Sequence, residues 1–551
     1  MIPAAFIPLD TMPTTPSGKV DRRALPAPDW SRFALQGEYV APRTETEQQL
    51  AAIWSDVLSI DRVGAHDNFF ELGGNSLLAL RLASQVRKSF SVDLPLVALF
   101  GAPTVIELAQ RIVALRTSGR LLDVPPIQPV ARGGPLPLSY GQEAMWVISR
   151  IQQGRSPYLM HPAARIRGAL QLTALEHAFN EILRRHESLR TTFPEVDGQP
   201  VQAIAPYASR PLPVVDVSHL PPAEQEAEVR RYALRQSETP LDLATGPLAR
   251  VEVIRLGEDE HVVLVGLHHI IYDGWSVAVL RRELLATYRA FAAGLPSPLP
   301  ELPIQYADYA AWQRARLQGE VYEGLREYWR QKLADLPALE LPIDHPRPKV
   351  RTTHAEATSC RLSSQLSRAL KDLALREQAT VFMVLLAAFQ VLLRRYSGQE
   401  DFAIGTPIAG RLRPELENLI GYFVNTLVMR ADLSADPTFR ELISRVRKTA
   451  LEGYDHQEMP FERLVQELKP DRDLSRHPLF QVLFVFQSVP FRAEEVSELE
   501  LGNLETGLGE RAADFELLLD ATERGEELRL RLSYNRDLFA AATIARLLEN
   551  F

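Results

Sequence analysis

Residues 262–276 read VVLVGLHHIIYDGWS, an apolar run that ends on two histidines and is followed by an Asp-Gly turn. The run has the length and branched composition of a buried strand, and residues 250–255 form a second strand-like stretch. Along a strand successive side chains point to opposite faces, so only one of His268 and His269 enters a given cleft and the other is structural. Taken alone, adjacent histidines are more often packing or surface residues. Here they close a buried strand, and Asp273 follows four residues after His269. A carboxylate in that turn sets loop geometry by accepting backbone or arginine hydrogen bonds, not by moving protons.

Outward from this stretch, residues 172–189 and 364–396 carry helical periodicity, and strands alternate with helices from about residue 137 to 551. That span is too long for one ordinary core. It predicts a two-lobed α/β architecture, each lobe a sheet with helices packed on it. Residues 121–139 (LLDVPPIQPVARGGPLPLS) are rich in Pro and Gly, with few side chains able to anchor a core, and read as an interdomain linker.

Ahead of the linker the pattern is purely helical. Leu50, Ile53, Trp54, Val57 and Leu58 recur at helical spacing, residues 77–90 form a second helix, and Pro103-Thr104 opens a third bearing Val105, Leu108, Ala109, Ile112 and Val113. These imply a small bundle with one core. Within it DNFFELGGNSLLALRL (67–82) puts Ser76 after Gly73-Gly74 at a helix start, where free backbone N–H groups and the positive dipole end suit a phosphate. Two glycines there would let a modifying enzyme approach without Cβ interference. An isolated GNSLL would more often mark a simple serine cap. Residues 1–38 are dense in Pro, Thr and Gly, which would stop most helices, and read as a short hairpin and extended linker.

Composition narrows the function classes. With 551 residues, 46% of them hydrophobic, the chain can form several cores. Lys plus Arg total 61 against 70 Asp plus Glu, and the resulting charge of −9 offers no broad basic surface for nucleic acid. The single cysteine, Cys360, excludes an internal disulfide and a thiolate metal site, and fits a reducing, cytoplasmic setting. No run approaches the roughly 18 apolar residues that would span a membrane, and MIPAAFIPLD lacks the basic lead of a secretion signal. No metal and no membrane partner are expected.

Asp67, Phe69, Phe70, Gly73, Gly74, Ser76 and Leu77 together resemble the attachment motif of the peptidyl carrier domains of nonribosomal peptide synthetases. HHIIYDG resembles the HHxxxDG signature of their condensation domains, whose fold is two chloramphenicol acetyltransferase-like lobes in a V. Six further motifs of that family follow in order: LSYGQEAMW (138–146), RHESLRTTF (185–193), YADYAAWQ (306–313), IGYFVNT (420–426), HQEMPFERLV (456–465) and RHPLFQVLF (476–484). Gly141 and Met145 stand in the first where Ala and Leu are commoner. TPSGKVDRRAL (15–25), with Lys19, looks like the last motif of an adenylation domain.

The resemblance implies a multidomain chain, an all-α four-helix carrier bundle plus a two-lobed α/β condensation domain. The expected limits are 1–38 for an adenylation remnant, 39–119 for the carrier, 120–136 for a linker and 137–551 for condensation, with lobes at about 137–305 and 306–551. Ser76 would carry 4'-phosphopantetheine, with Gly74 and Leu77 beside it. His269 would face the tunnel between the lobes, with His268 and Asp273 structural, Gly274 in the motif and Arg411 paired to Asp273. Asn425, Trp275 and Ser276 are candidate tunnel residues, while Trp146, Trp312, Phe461 and the Arg185-His186-Glu187 cluster are assigned to packing. The implied partners are a phosphopantetheinyl transferase, an upstream adenylation domain and a downstream aminoacyl carrier as acceptor.

The implied reaction is amide formation. His269, with an ordinary pKa near 6.5, has two roles open: taking the proton the amine sheds, or orienting the amine and stabilising the tetrahedral centre. Alternatives are an epimerisation domain, opposed by Trp275-Ser276-Val277 and the opening motifs, a heterocyclising domain, which lacks these histidines, and an inactive recruiting domain of the same fold. GGNSL and RHESLRTTF lean toward an L-configured donor.

Overall fold

The computed structural model describes residues 39–551 except 75, 93, 95, 118–124, 152–158, 161–162, 470–472, 488–499, 504–514 and 526. Lys19 and the adenylation-like motif lie outside the described residues. The chain divides into two compact units, Met1–Asp123 and Val124–Phe551.

In the first unit Thr44 caps the helix Glu45–Leu58 through a reciprocal capping box with Glu47, which satisfies two of the N–H groups a helix start leaves open. The helices Ser76–Phe90, Leu96–Gly101 and Val105–Thr117 complete a four-helix bundle. Leu50, Trp54, Phe69, Leu82, Val86, Leu108 and Ile112 are fully buried in it. Each such side chain contributes about 1.5–3 kcal/mol of transfer free energy. Trp54 meets Phe69 edge-on, with centroids 5.1 Å apart. Val113, predicted on the apolar face, is exposed instead; its neighbour Leu115 turns inward two positions later. The six-residue helix Leu96–Gly101 is too short to show a helical period.

The second unit holds two six-stranded sheets. In the first the order is Glu500–Asn503, Ala163–Arg167, Glu260–His268, Ala249–Arg255, Val214–Asp216, with Leu159–Met160 also paired to Glu260–His268. Val262 and Leu264 pack with Val229 and Ala233 of the helix Pro222–Glu238. Val263 meets Leu175, Ala178 and Phe179 of the helix Leu172–Arg185, and Tyr288 of the helix Gly274–Ala292. Helices cover both faces, which is why the run near residue 262 is continuously apolar and not alternating. The second sheet runs Ala355–Arg361, Glu527–Asn535, Leu517–Arg524, Val482–Gln487, Asp401–Ile408, Asn425–Asp432. Phe382 of the helix Val381–Ser397 stacks on Phe484 of this sheet at 5.5 Å.

Four expectations are corrected. Residues 364–396 are two helices, Ser364–Arg376 and Val381–Ser397, because Gln378 takes a left-handed turn (φ 49°) and Thr380 caps the second by accepting from Met383 N. The helix from Leu172 stops at Arg185, and Glu187–Arg190 continues as a 3-10 turn. The lobes are not contiguous in sequence, since Glu500–Asn503 pairs with Ala163–Arg167 in the first sheet. Nor are the described residues of the expected linker, 125–136, free of the condensation unit. Ile127 and Leu136 are buried, Val130 N donates to Asp308 Oδ1 (2.8 Å), and Arg132 pairs with both Asp308 and Glu187.

Candidate functional site

The strand Glu260–His268 ends on the first histidine, and His269 opens a 3-10 turn, His269–Ile271, before the helix Gly274–Ala292 begins. The two rings therefore part because the chain turns between them, not by strand alternation alone. His268 is 1% exposed; its Nδ1 accepts from Ile270 N at 3.1 Å, and burial holds its pKa at about 4. At neutral pH it is therefore an uncharged, buried hydrogen-bond acceptor.

His269 keeps partial solvent contact. Its Nδ1 lies 2.7 Å from the carbonyl oxygen of Tyr272, an acceptor, so Nδ1 carries the proton and Nε2 presents a lone pair. Desolvation pulls the imidazole below the ordinary histidine range, opposed by the Tyr272 carbonyl and by Asp273. Tyr422 packs edge-on against the ring at 5.2 Å.

Asp273 caps the helix Gly274–Ala292, its Oδ1 accepting from Ser276 N at 2.8 Å and Oγ at 2.7 Å. Arg411 Nη2 donates to the same Oδ1 at 3.0 Å, and Phe423 N donates to Oδ2 at 3.0 Å. Arg411 also donates through Nη1 to the carbonyls of Leu416 (2.6 Å) and Leu419 (2.9 Å), and its plane lies 4.0 Å from the Phe423 ring. Both charges are buried, so the desolvation cost is offset only by this dense set of hydrogen bonds. Both carboxylate oxygens thus accept hydrogen bonds within the loop or from residues 411 and 423.

The candidate tunnel residues fare differently. Ser276 is fully buried: its single hydroxyl hydrogen lies between Asp273 Oδ1 and, at 3.0 Å, Gly421 O, and its oxygen accepts from Gly421 N, so it lines no channel. Trp275 donates from Nε1 to Glu417 O at 2.9 Å and packs on the core. Gly274 is exposed, and a Cβ there would meet nothing within 4 Å. Asn425 does line a cavity, of about 50 Å³, but its amide is spent on the chain opposite: Nδ2 on the carbonyls of Gln457 (2.9 Å) and Met459 (2.7 Å), Oδ1 on Phe461 N (3.0 Å). Trp146 donates to Phe193 O, and Phe461 joins His477 and Phe480 in an aromatic cluster. Trp312 borders the same cavity as Asn425 and donates to Pro125 O.

Several residues escaped the sequence reading. Glu283 is the buried partner of the 185–187 cluster: Arg185 Nε lies 3.1 Å from one carboxylate oxygen and His186 Nε2 lies 2.7 Å from the same one. Gln142 donates to Ile270 O at 3.2 Å and so ties the helix Tyr140–Ile151 to the histidine turn. Tyr422, beside His269, was visible only as the third residue of IGYFVNT. A polar residue at a buried position of an amphipathic helix, as at Glu283, was the available signal.

In the carrier unit Ser76 is the first residue of a 15-residue helix with no acidic side chain in its first turn. Gly73 has φ +95°, a left-handed backbone that a side chain strains. Gly74 serves packing: a Cβ there would lie 2.3 Å from the Phe69 ring. A turn held by glycines, feeding a helix start free of carboxylates, fits a phosphodiester on the serine hydroxyl. Among the described residues no group of His, Cys, Asp or Glu is placed to hold a metal ion, and no single helix is long and apolar enough to cross a membrane.

The family model described as the condensation domain matches residues 134–551, and that of the phosphopantetheine attachment site matches residues 48–112. The chain belongs to the condensation-domain family of nonribosomal peptide synthetases, with a phosphopantetheine-bearing peptidyl carrier domain ahead of the condensation domain. It is 46% identical to a linear gramicidin synthase of Brevibacillus parabrevis over 100% of its length and 11% of that protein's, and 41% identical to malpibaldin synthetase of Mortierella alpina over 99% of its length and 10% of that protein's. The chain thus spans about a tenth of these relatives. Among solved structures it is similar to the X-domain from teicoplanin biosynthesis in complex with OxyB, with a TM-score of 0.69 and 31% identity over 78% of this chain and 94% of that one.

Proposed function

We propose that the condensation unit joins an aminoacyl or peptidyl group held on the carrier to the amine of an aminoacyl thioester presented by a downstream carrier. Ser76 is the attachment point in this reading, modified by a phosphopantetheinyl transferase and charged by an adenylation domain upstream. The arm supplies a thiol that holds the acyl group as a thioester. The acceptor nitrogen bonds to the acyl carbon, the carbon–sulfur bond breaks, and the amine gives up one proton. His269 Nε2 is the group suited to receive that proton, because Nδ1–H is tied to the Tyr272 carbonyl. That single contact carries the reading. An amine with an ordinary pKa near 7.7–8.0 is partly neutral near pH 7, so a base held below the usual histidine range is strong enough to accept a proton once the nitrogen has bonded to carbon.

The similarity to an X-domain solved with OxyB favours a second reading, docking of another protein by this fold without chemistry. His269, partly exposed and with no hydrogen-bond partner for Nε2 among the described residues, supports catalysis over it. Loading the holo protein with a donor, adding a charged acceptor carrier and searching for the dipeptidyl product by mass spectrometry decides between them. Product from wild type and none from Ser76→Ala supports amide synthesis. Exchange of the α-hydrogen without elongation would indicate epimerisation, and neither outcome would leave docking.

A further inference from the structure

Residues 420–423 run without regular secondary structure, so their buried main-chain groups need partners from other parts of the fold. Side chains supply them. Ile420 N donates to His186 Nδ1 at 3.4 Å, the other ring nitrogen of that histidine facing Glu283 at 2.7 Å, and Ser188 Oγ donates to Ile420 O at 2.7 Å. Gly421 N donates to Ser276 Oγ at 3.1 Å, Tyr306 OH to Tyr422 O, and Phe423 N to Asp273 Oδ2 at 3.0 Å. The clamps come from the turn after the helix Leu172–Arg185, from the start of the helix Gly274–Ala292 and from the helix Tyr306–Arg316. The segment is thereby fixed to the same framework that holds Asp273.

What the segment presents is Tyr422. Its ring stands at 89° to the His269 imidazole, with centroids 5.2 Å apart. Gly141 leaves room for it, since a Cβ there would come within 2.7 Å of the tyrosine ring. The next residue, Gln142, donates to Ile270 O at 3.2 Å, so the first turn of one helix sets both the tyrosine and the histidine turn. The bond from Nδ1 to the Tyr272 carbonyl, at 2.7 Å, fixes the tautomer of His269 and one point of its ring. A second contact is needed to fix the direction of Nε2, and a perpendicular aromatic neighbour on an immobile main chain provides it. We infer that Tyr422 is a positioning residue of the amide-forming reaction, acting through its ring on His269 and not through its hydroxyl. The inference rests on the condensation reading above and deepens it.

The test follows dipeptide formation by the holo chain, with alanyl, leucyl and phenylalanyl donors and the same three residues on a free acceptor carrier, continuing with the pair that wild type turns over fastest. Tyr422→Leu should lower kcat by about 10- to 100-fold, the scale of a misplaced reacting group, with KM for the acceptor carrier within about threefold. Tyr422→Phe, which keeps the ring, should recover kcat to within about threefold of wild type. In a His269→Ala background, adding Tyr422→Leu should lower the residual rate by less than about threefold, because the group being positioned is gone. A merely structural tyrosine would cost the same factor in both backgrounds, and that result overturns the inference while leaving condensation intact. So would a phenylalanine variant as slow as the leucine one, or a rise in KM at unchanged kcat. If Tyr422→Leu does not fold, Gly141→Ala keeps the test: it displaces the ring with its hydroxyl in place, and should lower kcat about 10-fold in the wild-type background and not in His269→Ala. Absence of product from every wild-type pair would remove the condensation reading, and an unchanged rate in His269→Ala the proton-transfer role, each taking this inference with it.

Discussion

The attachment loop of the carrier and the histidine loop of the condensation unit are built in opposite ways. In the carrier, Gly64 N donates to Asp67 Oδ2, Phe70 N to Asn68 Oδ1 and Gly74 N to Phe69 O, all within five positions. Three longer ties, Ala65 N to Val40 O, Phe69 N to Pro103 O and Ile106 N to Ala65 O, close it, none of them spanning more than about 40 positions. The histidine loop adds to its own local bonds partners from 128 (Gln142), 138 (Arg411), 145 (Gly421) and 150 (Phe423) positions away. A short string can specify the first loop, whereas the second exists only when the strands and turns of a large unit have assembled around it.

Four substitutions and one titration sharpen that contrast. The largest effect belongs to Ser76→Ala, which should abolish phosphopantetheinylation, read as an unshifted intact mass, without altering the melting of either unit. His269→Ala should lower condensation by about 10²–10⁴ with the fold unchanged by circular dichroism; a loss well under 10² would favour positioning over proton transfer. Asp273→Ala leaves Arg411 buried without its anion and should cost about 3–5 kcal/mol in chemical denaturation of the condensation unit, together with its activity. An unchanged midpoint would mean that the distant partners do not hold the loop.

The titration concerns His268. Its folded pKa, about 4, lies below the ordinary value near 6.5, so on acidification the unfolded chain takes up a proton first. Stability present above about pH 6.5 should be lost progressively down to about pH 4, by on the order of 3 kcal/mol. His477, also held at about 4 by burial, adds to the same limb. Denaturant midpoints across this range should therefore flatten in part for His268→Gln, and an unaltered slope would remove His268 from the account. The smallest change is Gly141→Ala, whose methyl crowds Tyr422 and should cost about 1–3 kcal/mol, relieved when combined with Tyr422→Leu.

Much of the site was legible because its motifs are compact. Residues 67–77 placed Ser76 at a helix start, and residues 262–276 placed a strand, a histidine turn and a capping aspartate in sequence. Ser276 was misread as a tunnel residue because adjacency to the histidines in sequence says nothing about which way a helix's first turn faces. Ser276 points into the Asp273–Arg411 network instead. Asn425 was read as a tunnel residue; its amide nitrogen is spent on backbone carbonyls more than thirty positions on.

What the residues determined on their own were the local states: apolar periods, helix caps, a glycine turn before Ser76 and the family to which these strings are similar. Only the tertiary structure decided that the chain turns out of its strand between His268 and His269, that Glu283 closes the 185–187 cluster, and that Glu500–Asn503 crosses into the first sheet. The reason is one of range. Caps and turns depend on neighbours a few positions away, while the orientation of a buried polar side chain depends on whichever distant donor or acceptor folding brings within about 3 Å.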